Sequence, residues 1–233
     1  MSPYSRANPS VRYRQLVALY SRMHAQGETR LGIAPEETFS GKSLMPHIGR
    51  IKRLIDATQA RTVLDYGSGK GLQYRPQRIV VKGEHVADGV AEYWDVDEVR
   101  CYDPGFEPFS RLPDETFDGV VSTDVLEHSP EEDLHWIALE MFSFARRFVF
   151  LNVACYPAKK RLPDGANAHV TLRAPEWWRE LVLESAARRP SVLWELRASI
   201  IRDGRYEEQV YCSEAGAIFE QRHDGARDNA SGD

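Results

Sequence analysis

The sequence predicts an α/β fold: a doubly wound, mostly parallel sheet ending in an antiparallel hairpin, with an N-terminal helical extension. Three observations carry this. Short apolar runs of strand length near residues 62, 99, 117 and 148 alternate with a helical pattern near 131, the order a parallel sheet with crossover helices requires. The first run, TVL, stops at Asp65 and enters a turn with glycines at 67, 69 and 71. The last two runs, VLWELRASII and EEQVYCSEAGAIFE, flank RDGR at 202–205, whose Asp-Gly pair supports a hairpin.

The chain has 233 residues, 42% hydrophobic and 28% charged, enough for one good core with additions. We expect a helical extension or lid over 1–60, the main domain over 61–222 and a polar, disordered tail over 223–233. The net charge of −5 argues against a nonspecific binder of nucleic acid or of anionic membranes. Cys101, Cys155 and Cys212 show no C-x-x-C pairing and are read as buried reduced thiols. No run approaches the ~20 apolar residues of a membrane helix, and MSPYSRANPS lacks an apolar signal core. The expected location is cytoplasmic.

Residues 1–9 hold two prolines and are expected to be loosely held. From Val11 the apolar positions fall at helical spacing, with Ser10 as N-cap and Gly27 as stop. A second helix is expected from Lys42 to Thr58, on the stripe Leu44, Ile48, Ile51, Leu54 and Ile55. The strand at 62 then feeds the glycine turn, which brings bare backbone N–H groups, and a helix N-terminus behind them, up to a ligand. Residues 76–97 read as an insertion with a small hairpin around 79–81. EVRCY leads to Asp103, and only about thirteen residues separate that from FDGVVST. Ser129 reads as the N-cap and Pro130 as the first position of a helix running to about Ala145. FVFLNVACY, ending at Tyr156, reads as a central strand covered on both faces. Pro175 and Glu176 open a last helix, in which one of Trp177 and Trp178 packs in the core and the other looks towards the preceding loop, 157–175.

The spacing of the glycine turn separates two cofactor classes. The dinucleotide fingerprint G-x-G-x-x-G/A needs a small third residue, and Leu72 holds that place. The pattern is D-x-G-x-G-x-G, and it resembles motif I of the class I S-adenosylmethionine (SAM)-dependent methyltransferases. FDGVVSTDVLEH resembles the end of their fourth strand, and the terminal hairpin the pair that closes their sheet. The resemblance covers roughly residues 45–215. It implies a Rossmann-like, seven-stranded sheet, SAM as cofactor and methyl transfer to an acceptor heteroatom. It implies that Gly67, Ser68, Gly69 and Gly71 lie under the methionine and ribose portions, with Asp65 near the methionine ammonium. The ribose partner is displaced to Asp103, with Asp97 or Asp95 next in line; Asp103 can equally be a turn-forming Asp-Pro-Gly with no ligand. Thr123 and Asp124, at the end of a strand, face the pocket.

Catalysis by methyl transfer is largely proximity and orientation, with a base needed only when the acceptor carries a proton. His169 and His128 are the candidate bases, with Asp124 as orienter; each histidine can instead be a hydrogen-bonded structural residue. Tyr20, His24, Tyr156, Lys159 and Asn167 are candidate acceptor-binding residues, joined by Phe39 and His47 if the N-terminal helices form a lid. Lys159, Lys160 and Arg161 either hold an anionic acceptor or are a solvated charge run. No metal ligand is expected. The absence of an N-P-P-Y tetrad, of a Pro-Cys nucleophile and of a glutamate pair leaves O- or N-methylation of a small polar molecule. Nucleic acid and membrane are not expected partners; the N-terminal helices are candidate elements of either a homodimer or a lid. A SAM-binding module without activity, a SAM-using lyase and a nicotinamide oxidoreductase remain rivals, the last disfavoured by Leu72.

Overall fold

The structure, a computed structural model, describes residues 3–213. The expected polar tail, and the final strand run beyond residue 213, lie outside the described residues. The chain is an α/β fold with a mostly parallel six-stranded sheet ending in an antiparallel pair. The strands are β1 (Thr62–Tyr66), β2 (Ile79–Val81), β3 (Glu84–Ala87), β4 (Glu98–Tyr102), β5 (Phe117–Thr123), β6 (Ala145–Ala154), β7 (Leu193–Arg202) and β8 (Arg205–Cys212). The sheet order is β4-β1-β5-β6-β7-β8, with β2 and β3 forming a separate two-stranded ribbon. All neighbours in the large sheet are parallel except β7 and β8. The hairpin turn at Asp203 and Gly204 has positive φ at both residues, 51° and 75°, the backbone an Asp-Gly pair adopts with little strain.

Among the described residues the sheet has six strands where the resemblance implied seven. Between β4 and β5 the chain makes one short 3-10 turn, Glu107–Phe109, with no further helix or strand. The 76–97 stretch is not idle: its ribbon and helix α3 (Val90–Trp94) form the crossover from β1 to β4. The expected α-helix after the glycine turn is also absent, replaced by a 3-10 turn, Leu72–Tyr74. Pro76 explains the stop, since a proline disfavours helical backbone in the residue before it.

Helix α1 (Val11–Gln26) begins as the sequence predicts, with the Ser10 hydroxyl accepting the Tyr13 amide at 2.9 Å. The second predicted helix divides at Pro46 into a 3-10 segment, Lys42–His47, and helix α2 (Ile48–Thr58). Helix α4 (Glu131–Phe144) starts one residue later than expected, with Pro130 at the N-cap position, no side-chain cap, and Ser129 before it. Helix α5 (Pro175–Ala186) buries Trp178 completely. Trp177 stands edge-on to it at 5.1 Å and under the guanidinium of Arg173, a residue of the loop after β6.

Alternating residues of the parallel strands build two cores. Val120, Val149, Leu151 and Val153 pack under α4 and α5, while Val121, Phe148 and Phe150 pack against α2 and α3. A third cluster joins Leu16 and Met23 of α1 to Leu162 and Ala168 of the loop after β6. The segment before α1 is not loose. Arg6 binds Glu140 through both carboxylate oxygens and donates to the hydroxyls of Tyr102 and Tyr66 at 2.9 and 2.8 Å. No helix among the described residues is long and apolar enough to cross a membrane.

Candidate functional site

From β1 the chain crosses to β4 on one flank and then to β5 on the other. That reversal is the switch point at which an open parallel sheet leaves a crevice beyond its carboxyl ends. A cavity of about 710 Å³ lies there, walled by the turn 67–69, Asp103, Thr123 and Asp124, and roofed by α1 and the loops around Phe39 and Lys159. Its size is ordinary for a small-molecule site.

The glycine turn is shaped by backbone need. Gly67, Gly69 and Gly71 have φ of 88°, 58° and 64°, values that side chains disfavour. A Cβ on Gly67 would meet Val125 at 2.4 Å, and one on Gly69 the Phe39 carbonyl at 2.5 Å. Contrary to expectation, the turn offers no bare N–H groups. The amides of Gly67 and Ser68 go to the Tyr102 carbonyl, that of Lys70 to Phe39 and that of Gly71 to Ser68. The amide of Gly69 goes to the Asp103 carboxylate. With every amide taken and no α-helix behind it, this turn is not a phosphate cradle.

Two expected cofactor residues do not reach the cavity. Asp65 points inward, where one carboxylate oxygen accepts from Gln73 at 2.8 Å and Tyr74 at 2.9 Å; burial pushes it up to about 6. Gly71 sits against Phe109 and Cys101 instead. Asp95 and Asp97 are exposed partners of Arg61, which leaves Asp103 as the acid at the end of β4. One oxygen of Asp103 takes the Gly69 amide and the other the Gly105 amide, at 2.9 and 2.8 Å, and burial raises it to about 6.

Past the end of β5, two strands over from β4 and Asp103, the cavity is lined by Asp124, His128 and His169. Asp124 follows directly on β5 with φ of 61°, left-handed backbone that Asp adopts more readily than most side chains. A carboxylate oxygen of Asp124 and a ring nitrogen of each histidine lie within 4.8 Å of one another. His169 Nδ1 stands 2.6 Å from the Tyr156 carbonyl, and His128 Nδ1 2.8 Å from the Ala168 carbonyl. A carbonyl only accepts, so each Nδ1 is the donor there, and Nε2 is the nitrogen left for another partner. Burial holds His128 down at about 4, with the neighbouring Asp124 charge opposing. Behind them Glu127 is fully buried; burial and then the Asp124 charge raise it well above the carboxylate range. The motif DVLEH signalled Asp124 and His128 in the sequence; their meeting with His169 across a long loop left no local signal.

Of the acceptor candidates, Tyr20, His24, Tyr156 and Lys159 line the cavity. The Tyr20 hydroxyl is held by the Ala168 carbonyl at 2.8 Å, and burial raises it. His24 stacks on Phe106 at 5.0 Å and contacts Phe39 at 4.6 Å; burial, then Lys70 and Lys160, lower it to about 4. Asn167 does not reach this cavity. Its side chain ties Ala158 to His169 through three backbone bonds, setting the loop that carries His169. His47 lies away too, packed 5.4 Å from Phe150. Lys159 and Lys160 roof the cavity, whereas the Arg161 guanidinium bonds the Gly165 carbonyl at 2.8 Å.

Comparison with protein-family models and with curated proteins gave no match. Fold and site together define an α/β protein with a cavity of about 710 Å³ at the switch point of its mostly parallel sheet.

Proposed function

We propose that the protein is a SAM-dependent methyltransferase acting on an oxygen or nitrogen atom of a small polar molecule. The observation that carries this reading is Asp103 on the cavity wall. It is an acid ending the strand next to β1, bound to the glycine turn, where a nucleoside's two ribose hydroxyls would find one carboxylate. The fit extends to charge. SAM is a cation without pyrophosphate; the turn has no free amide to seat a phosphate, and the carboxylates of Glu37, Asp103 and Asp124 balance Lys42, Lys159 and Lys160 in the cavity lining. The turn 67–69 with Asp103 would hold the nucleoside, and Thr123 and Asp124 the side facing the acceptor. Asp65 drops out as the ammonium partner because it is spent on Gln73 and Tyr74.

When bound, SAM supplies an electrophilic methyl group on a sulfonium. This chain's own residues position the acceptor and exclude water: α1, Phe39 and the 157–169 loop close over the cavity. The end formed by Asp124, His128 and His169 receives the acceptor and handles its proton where it has one.

Incubation of the protein with SAM and panels of hydroxylated and amine metabolites, read by mass spectrometry, tests the reading. Transfer predicts an acceptor heavier by one methyl group and an equal amount of S-adenosylhomocysteine. Binding of SAM without turnover on any panel member favours a silent binding module. A thioadenosine product without a methylated acceptor favours a lyase.

A further inference from the structure

We propose that Asp124, His128 and His169 form a three-ligand site for a divalent transition-metal ion, open on its cavity side to an oxygen atom of the acceptor. The metal site stands on geometry alone; the role towards the acceptor rests on the methyltransferase reading.

Four features fit. The donor set is two imidazoles and one carboxylate, which suits ions such as Zn²⁺, Fe²⁺, Mn²⁺ or Co²⁺ and leaves coordination positions vacant for other ligands. The donor atoms lie within 4.8 Å of one another, and His169 Nε2 stands 3.8 Å from Asp124 Oδ1. Ligands at ~2.1 Å from one ion are ~3 to 4 Å apart, so side-chain adjustments of about an ångström close the set.

Second, both imidazoles are already oriented as metal ligands are. Each donates Nδ1–H to a backbone carbonyl, Tyr156 for His169 and Ala168 for His128, which fixes the tautomer and frees Nε2. Tyr20 adds to this clamp, its hydroxyl 3.1 Å from His128 Nδ1. Third, Asp124 is held at positive φ by the bond from its own amide to the Asn152 carbonyl at 3.0 Å. Fourth, Glu127 lies fully buried behind Asp124. One of its oxygens accepts the Ala154 amide at 2.5 Å, and the other has no hydrogen-bond partner among the described residues. The Asp124 carboxylate and one ring nitrogen from each histidine thus face one another within 4.8 Å, backed by a buried polar oxygen that has no partner among the described residues.

The ion's place past the end of β5, two strands over from β4 and Asp103, assigns it to the acceptor rather than to the nucleoside. A hydroxyl bound to it is more acidic than a free one, which favours oxygen over nitrogen as the methylated atom. With the ion bound, His128 and His169 act as ligands, and the proton of the acceptor hydroxyl passes to solvent water in the cavity rather than to either imidazole.

Calorimetric titration of untagged, chelator-treated protein with ZnCl₂ and with MnCl₂, without SAM, tests the site. The expected result is one ion per chain for at least one of the two salts. Asp124→Asn and His169→Gln should each weaken binding by more than about tenfold, with circular dichroism unchanged. Spectra of the Co²⁺ form, with absorption lost in His128→Gln, give a readout that does not depend on heat. No binding of either ion, or variants that bind like the parent, overturns the proposal. SAM is titrated separately into metal-free protein, so loss of the metal site and loss of the cofactor reading are distinguishable.

Discussion

Asp103, at the end of β4, accepts the backbone amide of Gly69 at 2.9 Å, so an acid from the neighbouring strand closes the glycine turn. Its other oxygen takes the Gly105 amide at 2.8 Å. Burial raises it to about 6, and two ribose hydroxyls bind the ionised form better than the protonated one. SAM affinity should therefore rise as the pH passes up through about 6, by at most about tenfold per unit. Asp103→Asn should weaken binding about tenfold or more and flatten that rise. Calorimetry on both proteins at about pH 5 and about pH 7.5 measures both effects.

Asp65 makes a prediction about stability. Its carboxyl is raised to about 6 in the folded protein, chiefly by burial, against ~3.9 unfolded. A raised pKa means the protonated form favours folding: that stability is full below about 4 and lost as the pH rises through about 6. At neutral pH the buried charge costs on the order of 2 to 3 kcal/mol. Asp65→Asn keeps an acceptor for Gln73 and Tyr74 and removes the charge. It should melt higher than the parent near neutral pH and level with it near about pH 4. Asp103 has the same sign, so some slope persists. A gap between the two proteins that does not change with pH would contradict this account.

Arg6 fastens the N-terminal segment to the sheet through Glu140, Tyr66 and Tyr102. Arg6→Ala strands a largely buried carboxylate and two hydroxyls, and should cost on the order of 2 to 4 kcal/mol. The denaturant midpoint reports it, and a midpoint within error of the parent's would count against a structural role.

Gly69→Ala places a Cβ 2.5 Å from the Phe39 carbonyl at a backbone φ of 58°. The left-handed conformation alone costs about 1 to 2 kcal/mol, and Phe39 must give way as well. The expected result is a lower melting temperature together with weaker SAM binding. Gly32 also has positive φ but nothing within 4 Å, so Gly32→Ala should lower the melting temperature less.

What the sequence revealed and what it hid divide along locality. Ser10 as a cap, the glycine turn and the Asp203-Gly204 hairpin were legible because their signals lie within a few residues. Asp103 could be read because it ends a strand. The inward turn of Asp65 could not, since it depends on Gln73 and Tyr74 folding back where the D-x-G pattern resembled an open cofactor edge. The missing helix after Gly71 yielded to Pro76, a local signal overridden by the glycine pattern. The meeting of Asp124 and His128 with His169 depends on the 157–169 loop, held by Asn167 and α1, and no spacing in the sequence encodes it.

The most direct measurement is calorimetric titration of the purified protein with SAM, S-adenosylhomocysteine and NAD. The account predicts that SAM and S-adenosylhomocysteine each bind one per chain at micromolar concentrations, weakened in Asp103→Asn, and that NAD does not bind. Binding of NAD instead, or of none of the three, would contradict it.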